Sequence, residues 1–86
     1  MNTLTDTVIP GNNGKTFETN AIKDLDLFEI KASLIELDGI KDVQLNTVVF
    51  PREFTVHTFK MIPISEIQNR VKRVGFHAVP KELFAL

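Results

Sequence analysis

LFEIKASLIELDGI, residues 27 to 40, is the stretch of this 86-residue chain that decides its fold. Its apolar side chains recur at spacings of three and four residues, at Leu27, Ile30, Leu34 and Leu37. This spacing puts them on one face of an α-helix, because residues three and four apart lie on the same side of it. Gly39 predicts the end of the helix, since glycine adopts the left-handed conformation of a helix C-terminus at little cost.

Two carboxylates precede this helix and allow two interpretations. Asp24 or Asp26 can act as the N-cap, because a carboxylate accepts the unpaired amide hydrogens of a first turn and suits its positive dipole. With Glu29 they also form an acidic cluster that would attract a hard divalent cation. We favour N-capping, since a calcium site usually needs six or more oxygen ligands.

The segments around this helix alternate apolar and polar residues and predict four strands. They are residues 15–20, with Phe17 facing inward, 40–46, 53–59 and 76–79. The inward face of the third strand is predicted to be Phe54, Val56 and Thr58. The alternate residues of that strand then lie on the open face of the sheet. They are Thr55, His57 and Phe59.

A second helix is predicted between the last two strands. Its apolar stripe is Ile64, Ile67, Val71 and Val74. Pro63 suits the first turn, and Ser65 with Gln68 predicts a capping box. Gly75 ends this helix in the same way that Gly39 ends the first.

The order strand, helix, strand, strand, helix, strand predicts an α+β domain of the ferredoxin-like βαββαβ class. We expect a four-stranded antiparallel sheet in the order 4-1-3-2, with both helices on one face. Applying the right-handed crossover rule, we expect strands 1 and 3 to be parallel central neighbours. The other face of the sheet is then open to solvent.

The domain is predicted to cover residues 15–86, after a flexible leader at residues 1–14. The leader is inferred from Pro10-Gly11 and Asn12-Asn13-Gly14, which favour turns. An alternative is that Thr7 to Ile9 pair with the first strand as a hairpin. The tail is apolar enough to cover part of the core edge, through Leu83, Phe84 and Leu86.

Composition narrows the class of function. The chain has no cysteine, which excludes disulfides, thiolate zinc sites, iron–sulfur clusters and thiol nucleophiles together. Its net charge of −1 lacks the basic surplus of a nucleic-acid-binding protein. No apolar run approaches the roughly 20 residues of a membrane span, and the first residues lack a secretory signal pattern. We therefore expect a cytoplasmic protein that binds neither nucleic acid nor membrane.

The sequence gives no support for an enzyme. No Ser-His-Asp or paired-carboxylate arrangement can be argued from its spacing, and Lys15 lacks the glycine-rich context of a phosphate-binding loop. His57 and His77 are expected on strands 3 and 4 as separate surface side chains, about 9 to 10 Å apart across the intervening strand. We expect neither catalysis nor a cofactor.

Three motifs carry a resemblance to a known family: ELDGI at residues 36–40, V-x-L-N at 43–46 and V-x-x-V-G-F at 71–76. Over roughly residues 15–79 the chain resembles the heavy-metal-associated (HMA) domain of copper chaperones and of the amino-terminal modules of copper-transporting P-type ATPases. The resemblance implies a metallochaperone fold. It also implies that the Met-x-Cys-x-x-Cys loop of the family falls on Ala21, Lys23 and Asp26.

The two cysteine positions carry different chemistry here. Copper(I) is held by deprotonated sulfurs, whereas the Lys23 ammonium repels a cation and the Asp26 carboxylate is a hard oxygen donor. We therefore expect that soft-metal binding has been lost and that the domain is a noncatalytic protein-interaction or regulatory module.

The resemblance further implies docking to a protein partner through complementary charges on the helix side of the domain. The candidate docking residues are Lys23, Asp24, Asp26, Arg70 and Arg73. For Arg70 and Arg73 the helix dipole is the simpler explanation, because basic side chains favour a helix C-terminus.

The alternative function is a metal-ion binding or transport protein that uses ligands other than cysteine. Asp26 with a histidine or a methionine would supply them, or a second subunit would complete the site. Metal-induced changes localised to residues 21–29 would distinguish this alternative from an interaction module.

Overall fold

Two helices cover one face of a four-stranded sheet in the computed structural model, which describes residues 8–81. The elements in chain order are β1 (Val8–Ile9), β2 (Gly14–Thr19), α1 (Asp24–Ile35), β3 (Ile40–Asn46), β4 (Arg52–Thr58), β5 (Ile62–Pro63), α2 (Ile64–Arg73) and β6 (Ala78–Pro80). The predicted ferredoxin-like βαββαβ arrangement is confirmed, and β1 and β5 add a separate two-stranded sheet to it. Within the described residues, neither helix is long and apolar enough to cross a membrane.

The four strands are ordered β3-β4-β2-β6, and every neighbouring pair is antiparallel. The predicted order of strands is therefore confirmed. The predicted parallel pairing of the first and third strands is wrong, because β2 and β4 are antiparallel, with Phe17 opposite Phe54. The crossover through α1 relates β2 to β3, which run in the same direction but are separated by β4. The turn between β3 and β4 reverses the chain before β4 pairs with β2.

β1 pairs with β5 in antiparallel register, with Val8 opposite Pro63 and Ile9 opposite Ile62. The irregular structure predicted for residues 1–14 is therefore wrong for β1, and so is the alternative hairpin with the first strand. Ile9 is only 1% exposed, so burial of its side chain in the core favours this pairing. The division of the chain at residue 15 stays a prediction. Outside the described residues lie Thr7 and the tail residues predicted to cover the core edge, Leu83, Phe84 and Leu86.

α1 begins without a side-chain cap. The N-cap residue is Lys23, in an extended conformation and without a side-chain capping bond, so the predicted capping by Asp24 or Asp26 is wrong. The Lys23 carbonyl accepts hydrogen bonds from the N–H groups of Asp26 and Leu27. Both aspartates stay in the first turn, where the helix dipole favours negative charge.

α2 also begins without a side-chain cap, at the N-cap residue Pro63. The predicted capping box of Ser65 and Gln68 is wrong, because the Gln68 side chain donates instead to the Ala78 carbonyl at 3.0 Å. That bond ties α2 to β6. The helix ends as predicted at Gly75, whose N–H bonds the Lys72 carbonyl in a left-handed C-terminal turn.

Phe17 and Phe54 stack at the centre of the core, with ring centroids 5.3 Å apart and an interplanar angle of 12°. The predicted inward face of β4 is confirmed, since Phe54, Val56 and Thr58 are buried. The predicted helix stripes are confirmed as well, through the buried side chains Leu27, Ile30, Leu34, Ile64, Ile67 and Val71, with Leu37 and Val74 packed against them.

Gly39 and Gly75 have nearly the same positive φ, 99° and 97°, but different surroundings. A Cβ on Gly39 would lie 2.8 Å from Cγ of Lys60 and 3.0 Å from Cδ1 of Ile62, whereas a Cβ on Gly75 would meet no atom of the described residues within 4 Å. The Lys60 side chain is held there by a 2.6 Å bond to Asp38, which also lowers the pKa of that carboxyl.

We expect Gly75→Ala to lower the free energy of unfolding by about 1 kcal/mol, through backbone strain alone. Gly39→Ala should lower it by about 2 to 3 kcal/mol, because the neighbouring side chains must also move. Urea denaturation of the two variants measures the difference. Equal losses would mean that the contacts around Gly39 relax without cost.

Candidate functional site

Three connecting segments meet at the end of the sheet where β2 and β3 finish, and we call them the loop end: residues 20–23, 47–51 and 74–77. They converge because β2 and β3 run in the same direction, while α2 returns the chain to the start of β6. A shallow cleft takes one lining side chain from each segment, at Asn20, Pro51 and His77. The Asn20 side-chain oxygen also accepts a 2.8 Å hydrogen bond from the backbone N–H of His77.

Arg52 joins two of these segments. Its Nε donates to the Ile22 carbonyl at 3.0 Å, and its Nη1 donates to the carbonyls of Thr47 and, at 3.2 Å, Val49. The guanidinium carbon lies 6.0 Å from the centroid of the Phe50 ring. The Arg52 side chain therefore holds residues 20–23, which lead into α1, against the β3–β4 loop.

Arg52 is not predicted from the sequence as a functional residue. Its three hydrogen-bond acceptors are backbone carbonyls. Because every residue has a carbonyl, the amino-acid sequence does not indicate which ones Arg52 reaches. The register of β2 and β4 could have indicated its role, because Arg52 is the first residue of β4 and pairs with Thr19, the last residue of β2. That pairing puts a long forked donor beside residues 20–23.

We expect Arg52→Met to lower the free energy of unfolding by about 1 to 3 kcal/mol, because hydrogen bonds from a charged donor are lost. Methionine keeps an unbranched apolar stem, so the change removes mainly the guanidinium. Amide NMR shifts should change across residues 20–23 and 47–51. The control is Lys41→Met, in an exposed residue of β3 at the other end of the sheet. The same stability loss in the control would contradict this role.

The residues at the predicted motif positions lie where the chain enters α1. Lys23 is the exposed N-cap residue, and Asp24 and Asp26 are in the first turn, exposed and half-buried respectively. Ala21, at the predicted methionine position, is buried, and its N–H donates to the Thr19 hydroxyl. The start of α1, next to the loop end, therefore presents an ammonium and two carboxylates.

The two histidines lie at opposite ends of the domain. His57 is in β4 opposite Gly14, where β2 begins, whereas His77 precedes β6 at the loop end. The prediction that His77 lies within the fourth strand is therefore wrong. Among residues 8–81, no three side chains of histidine, aspartate or glutamate are grouped so that they could hold a metal ion.

The predicted docking residues divide into two groups. Lys23, Asp24 and Asp26 lie together at the start of α1, whereas Arg70 packs against its last turns. Arg70 Nη1 donates to the Ser33 carbonyl at 3.3 Å, and its guanidinium lies 3.6 Å from the Glu36 carboxylate. Its side chain is only 23% exposed, so this contact between the helices already accounts for it. The last residue of α2, Arg73, is exposed.

Comparisons with known proteins identify the fold. No protein-family model and no curated protein sequence matches this chain. The copper(I)-loaded first domain of the human copper chaperone for SOD1 matches it in structure with a TM-score of 0.68 and 22% identity, over 83% of this chain and 94% of that one. The N-terminal domain of PacS from Synechocystis gives a TM-score of 0.69 and 14% identity, over 81% and 98% of the two chains.

A third similar structure is the apo HMA domain of a copper chaperone for superoxide dismutase, with a TM-score of 0.66 and 22% identity, over 92% of this chain and 72% of that one. At these identities the likeness establishes the fold alone. The chain has the fold of HMA domains, and the predicted resemblance in fold is confirmed. Unlike a domain that carries the Met-x-Cys-x-x-Cys loop, it contains no cysteine.

Proposed function

We propose that this chain is a noncatalytic protein-interaction or regulatory module on a metallochaperone fold, located in the cytoplasm, which docks a protein partner through its loop end. The observation that carries the proposal is a set of apolar side chains exposed there. They are Ile22, Val48 and Phe50, which are 58%, 87% and 74% exposed.

Arg52 holds together the two segments that carry these side chains, through its bonds to the carbonyls of Ile22, Thr47 and Val49. Single exposed apolar residues are ordinary, whereas a contiguous apolar patch marks an interaction surface. Arg52 bonds the Ile22 carbonyl and lies beside the Phe50 ring, so the two segments are held together before any partner arrives. A preorganised surface loses less conformational entropy on binding, which favours affinity.

Charges at the rim of this surface would steer the partner. Lys23 and Asp24 are exposed at the start of α1, and Asp26 is half-buried beside them. Exposed rim charges raise association rates and exclude partners of the wrong charge. Of the two arginines, Arg73 is the better candidate for this role, because the guanidinium of Arg70 is engaged with α1.

The donors at the helix start support an interaction module over a metal carrier. Copper(I) prefers thiolate and thioether ligands, and the positions that resemble the family's cysteines hold the Lys23 amine and the Asp26 carboxylate. The Lys23 ammonium repels a cation, and the carboxylates beside it are hard donors that copper(I) does not prefer. The metal-binding alternative therefore needs ligands from elsewhere, such as a second subunit.

A metal titration followed by amide NMR tests the choice between these two functions. We expect copper(I) and zinc, added separately to micromolar excess, to leave the amide shifts of residues 21–29 unchanged. Saturable shifts confined to those residues would overturn the proposal and establish the metal-binding alternative.

The docking surface is tested by capture from the native cell with matched variants. Phe50→Ser removes an exposed ring at the loop end, and Phe59→Ser removes one of comparable exposure at the other end of β4. We expect the same proteins to be retained by the unsubstituted chain and by Phe59→Ser, and to be lost from Phe50→Ser. Equal retention by the two variants would contradict docking through the loop end.

A further inference from the structure

α1 carries a second apolar stripe, on the side that faces away from the sheet. The stripe is Leu25, Phe28, Ala32 and Ile35, all exposed. The three large side chains are 72%, 53% and 50% exposed in chain order. Successive members are three, four and three residues apart, so they lie on one line along the helix.

This second stripe lies opposite the first. The buried stripe of α1 is Leu27, Ile30 and Leu34, and at 100° per residue the exposed one falls on the other side of the helix. A surface helix normally has a polar outer face, and a helix that is apolar on both sides is normally covered on both. The core covers one side of α1, and no element of residues 8–81 covers the other.

The spacing of the stripe identifies the kind of surface that fits it. Steps of three, four and three residues are those of the a and d positions of a heptad, so Leu25 and Ala32 are at a, and Phe28 and Ile35 are at d. Such a seam packs against a second helix by knobs-into-holes contacts. A helix is therefore the shape of partner that the stripe fits.

The charges beside the stripe indicate which kind of partner helix would bind it. The flanking e and g positions are Asp24, Glu29, Lys31 and Glu36, three acidic and one basic. A second copy of α1 would face Glu29 with Glu36 if antiparallel, or Asp24 with Glu29 if parallel, and these like pairs oppose pairing. Lys31 forms as many unlike pairs, with Asp24 or with Glu36, so the flanks give self-pairing no net gain. A helix with basic flanks meets an opposite charge at three of the four positions, so it fits the stripe better. The same acidic flanks disfavour an anionic membrane surface.

We propose that the outer stripe of α1 binds an amphipathic helix of a partner protein, with an apolar heptad seam and lysine or arginine beside it. The stripe shares no residue with the loop end, although Asp24 lies beside both. The inference stands whether or not the loop end binds a partner, because its evidence is the stripe and its flanking charges alone.

The test uses two labelled peptides of three heptads, with leucine at a and d and either lysine or glutamate at e and g. Fluorescence anisotropy against the full chain at low ionic strength should show saturable binding of the lysine peptide. The glutamate peptide should bind at least about tenfold more weakly, since like charges are repelled at the flanks. No saturable binding of the lysine peptide, or equal binding of both peptides, would overturn the proposal.

Variants locate the binding. Phe28→Ser should weaken binding of the lysine peptide at least about tenfold, because it removes the largest side chain of the seam. Met61→Ser, in a residue of similar exposure outside α1, should leave binding unchanged. Glu29→Lys should reduce the preference for the lysine peptide, and a thermal melt confirms that each variant is folded. Loss of binding in Met61→Ser, or none in Phe28→Ser, would overturn the assignment.

Two further measurements exclude other occupants. Sedimentation of the full chain should give a monomer, and vesicles containing phosphatidylglycerol should not bind it. A dimer that Phe28→Ser dissociates would overturn the proposal in favour of self-association. Vesicle binding that Phe28→Ser abolishes would overturn it in favour of a membrane surface.

Discussion

Replacing Lys23 and Asp26 together by cysteine should create copper(I) binding, with an affinity about three orders of magnitude or more above that of the unsubstituted chain. The N-cap position and the first turn of α1 already hold these two residues at the start of a helix. A helix N-terminus lowers the pKa of a nearby thiol, so both sulfurs would be available as thiolates. Two thiolates three residues apart can chelate one soft cation.

Competition with a colorimetric copper(I) chelator measures this affinity. The matched controls are the single variants Lys23→Cys and Asp26→Cys, which supply one sulfur each and should bind far more weakly than the pair. A folded double variant that competes no better than the single variants would show that the entry to α1 lacks the geometry of a metal loop. The resemblance at these two positions would then be wrong, although the fold would stand.

Phe54→Ala should lower the free energy of unfolding by about 3 to 5 kcal/mol. Phe54 is fully buried and stacks on Phe17 with a centroid distance of 5.3 Å, so truncation removes both apolar burial and an aromatic contact. A small domain has a total stability of about 5 to 15 kcal/mol, so this single change should remove a large part of it. The urea midpoint should fall accordingly.

The matched control for this prediction is Phe50→Ala, the same truncation four residues earlier. Phe50 is 74% exposed, and its neighbour Arg52 lies 6.0 Å from the ring centroid, so the loss should stay within about 0.5 kcal/mol. Comparable losses from both variants would contradict the assignment of Phe54 to the core face of β4. The pair therefore tests the strand phase that the sequence predicts.

The longer helices and strands could be predicted because the residues that are buried on one face of an element recur in the sequence at a regular spacing. Leu27, Ile30 and Leu34 recur with the helical period, and Phe54 and Val56 recur with the period of a strand. The direction of each strand in the sheet could not be predicted in this way, because an alternating pattern is the same whichever way the strand runs. The crossover rule relates β2 to β3 through α1 and does not set the direction of the third strand, so the predicted parallel pairing of the first and third strands is wrong.

Short and backbone-mediated features escaped prediction for a different reason. β1 has two residues, too few to show any alternation, and its partner β5 is distant in sequence. Neither helix has the predicted side-chain cap: at α1 the N–H of Asp26 bonds the Lys23 carbonyl, and in α2 the Gln68 side chain donates to the Ala78 carbonyl. Arg52 binds carbonyls, which every residue possesses, so only the fold reveals which ones it reaches.

The candidate site was predicted in part. The position of Lys23 and Asp26 at the start of α1 follows from counting back along one helix, and the structure has them there. The apolar residues of the loop end belong to segments that only the folded sheet brings together. The outer stripe of α1 shares its helix with a strong core stripe, and only burial distinguishes the covered face from the open one.

The pairing of β1 with β5 has a consequence for the order of events during folding. Ile9 and Ile62 are more than fifty residues apart in sequence, so their contact must close a long loop for only two residues of strand. Closing this loop costs chain entropy before any contact between β1 and β5 is gained. We therefore expect the two strands to pair after the local helices and the β3–β4 hairpin have formed. Amide hydrogens in this short ladder should then exchange with solvent sooner than those of β2 and β4, through partial opening that leaves the main sheet intact.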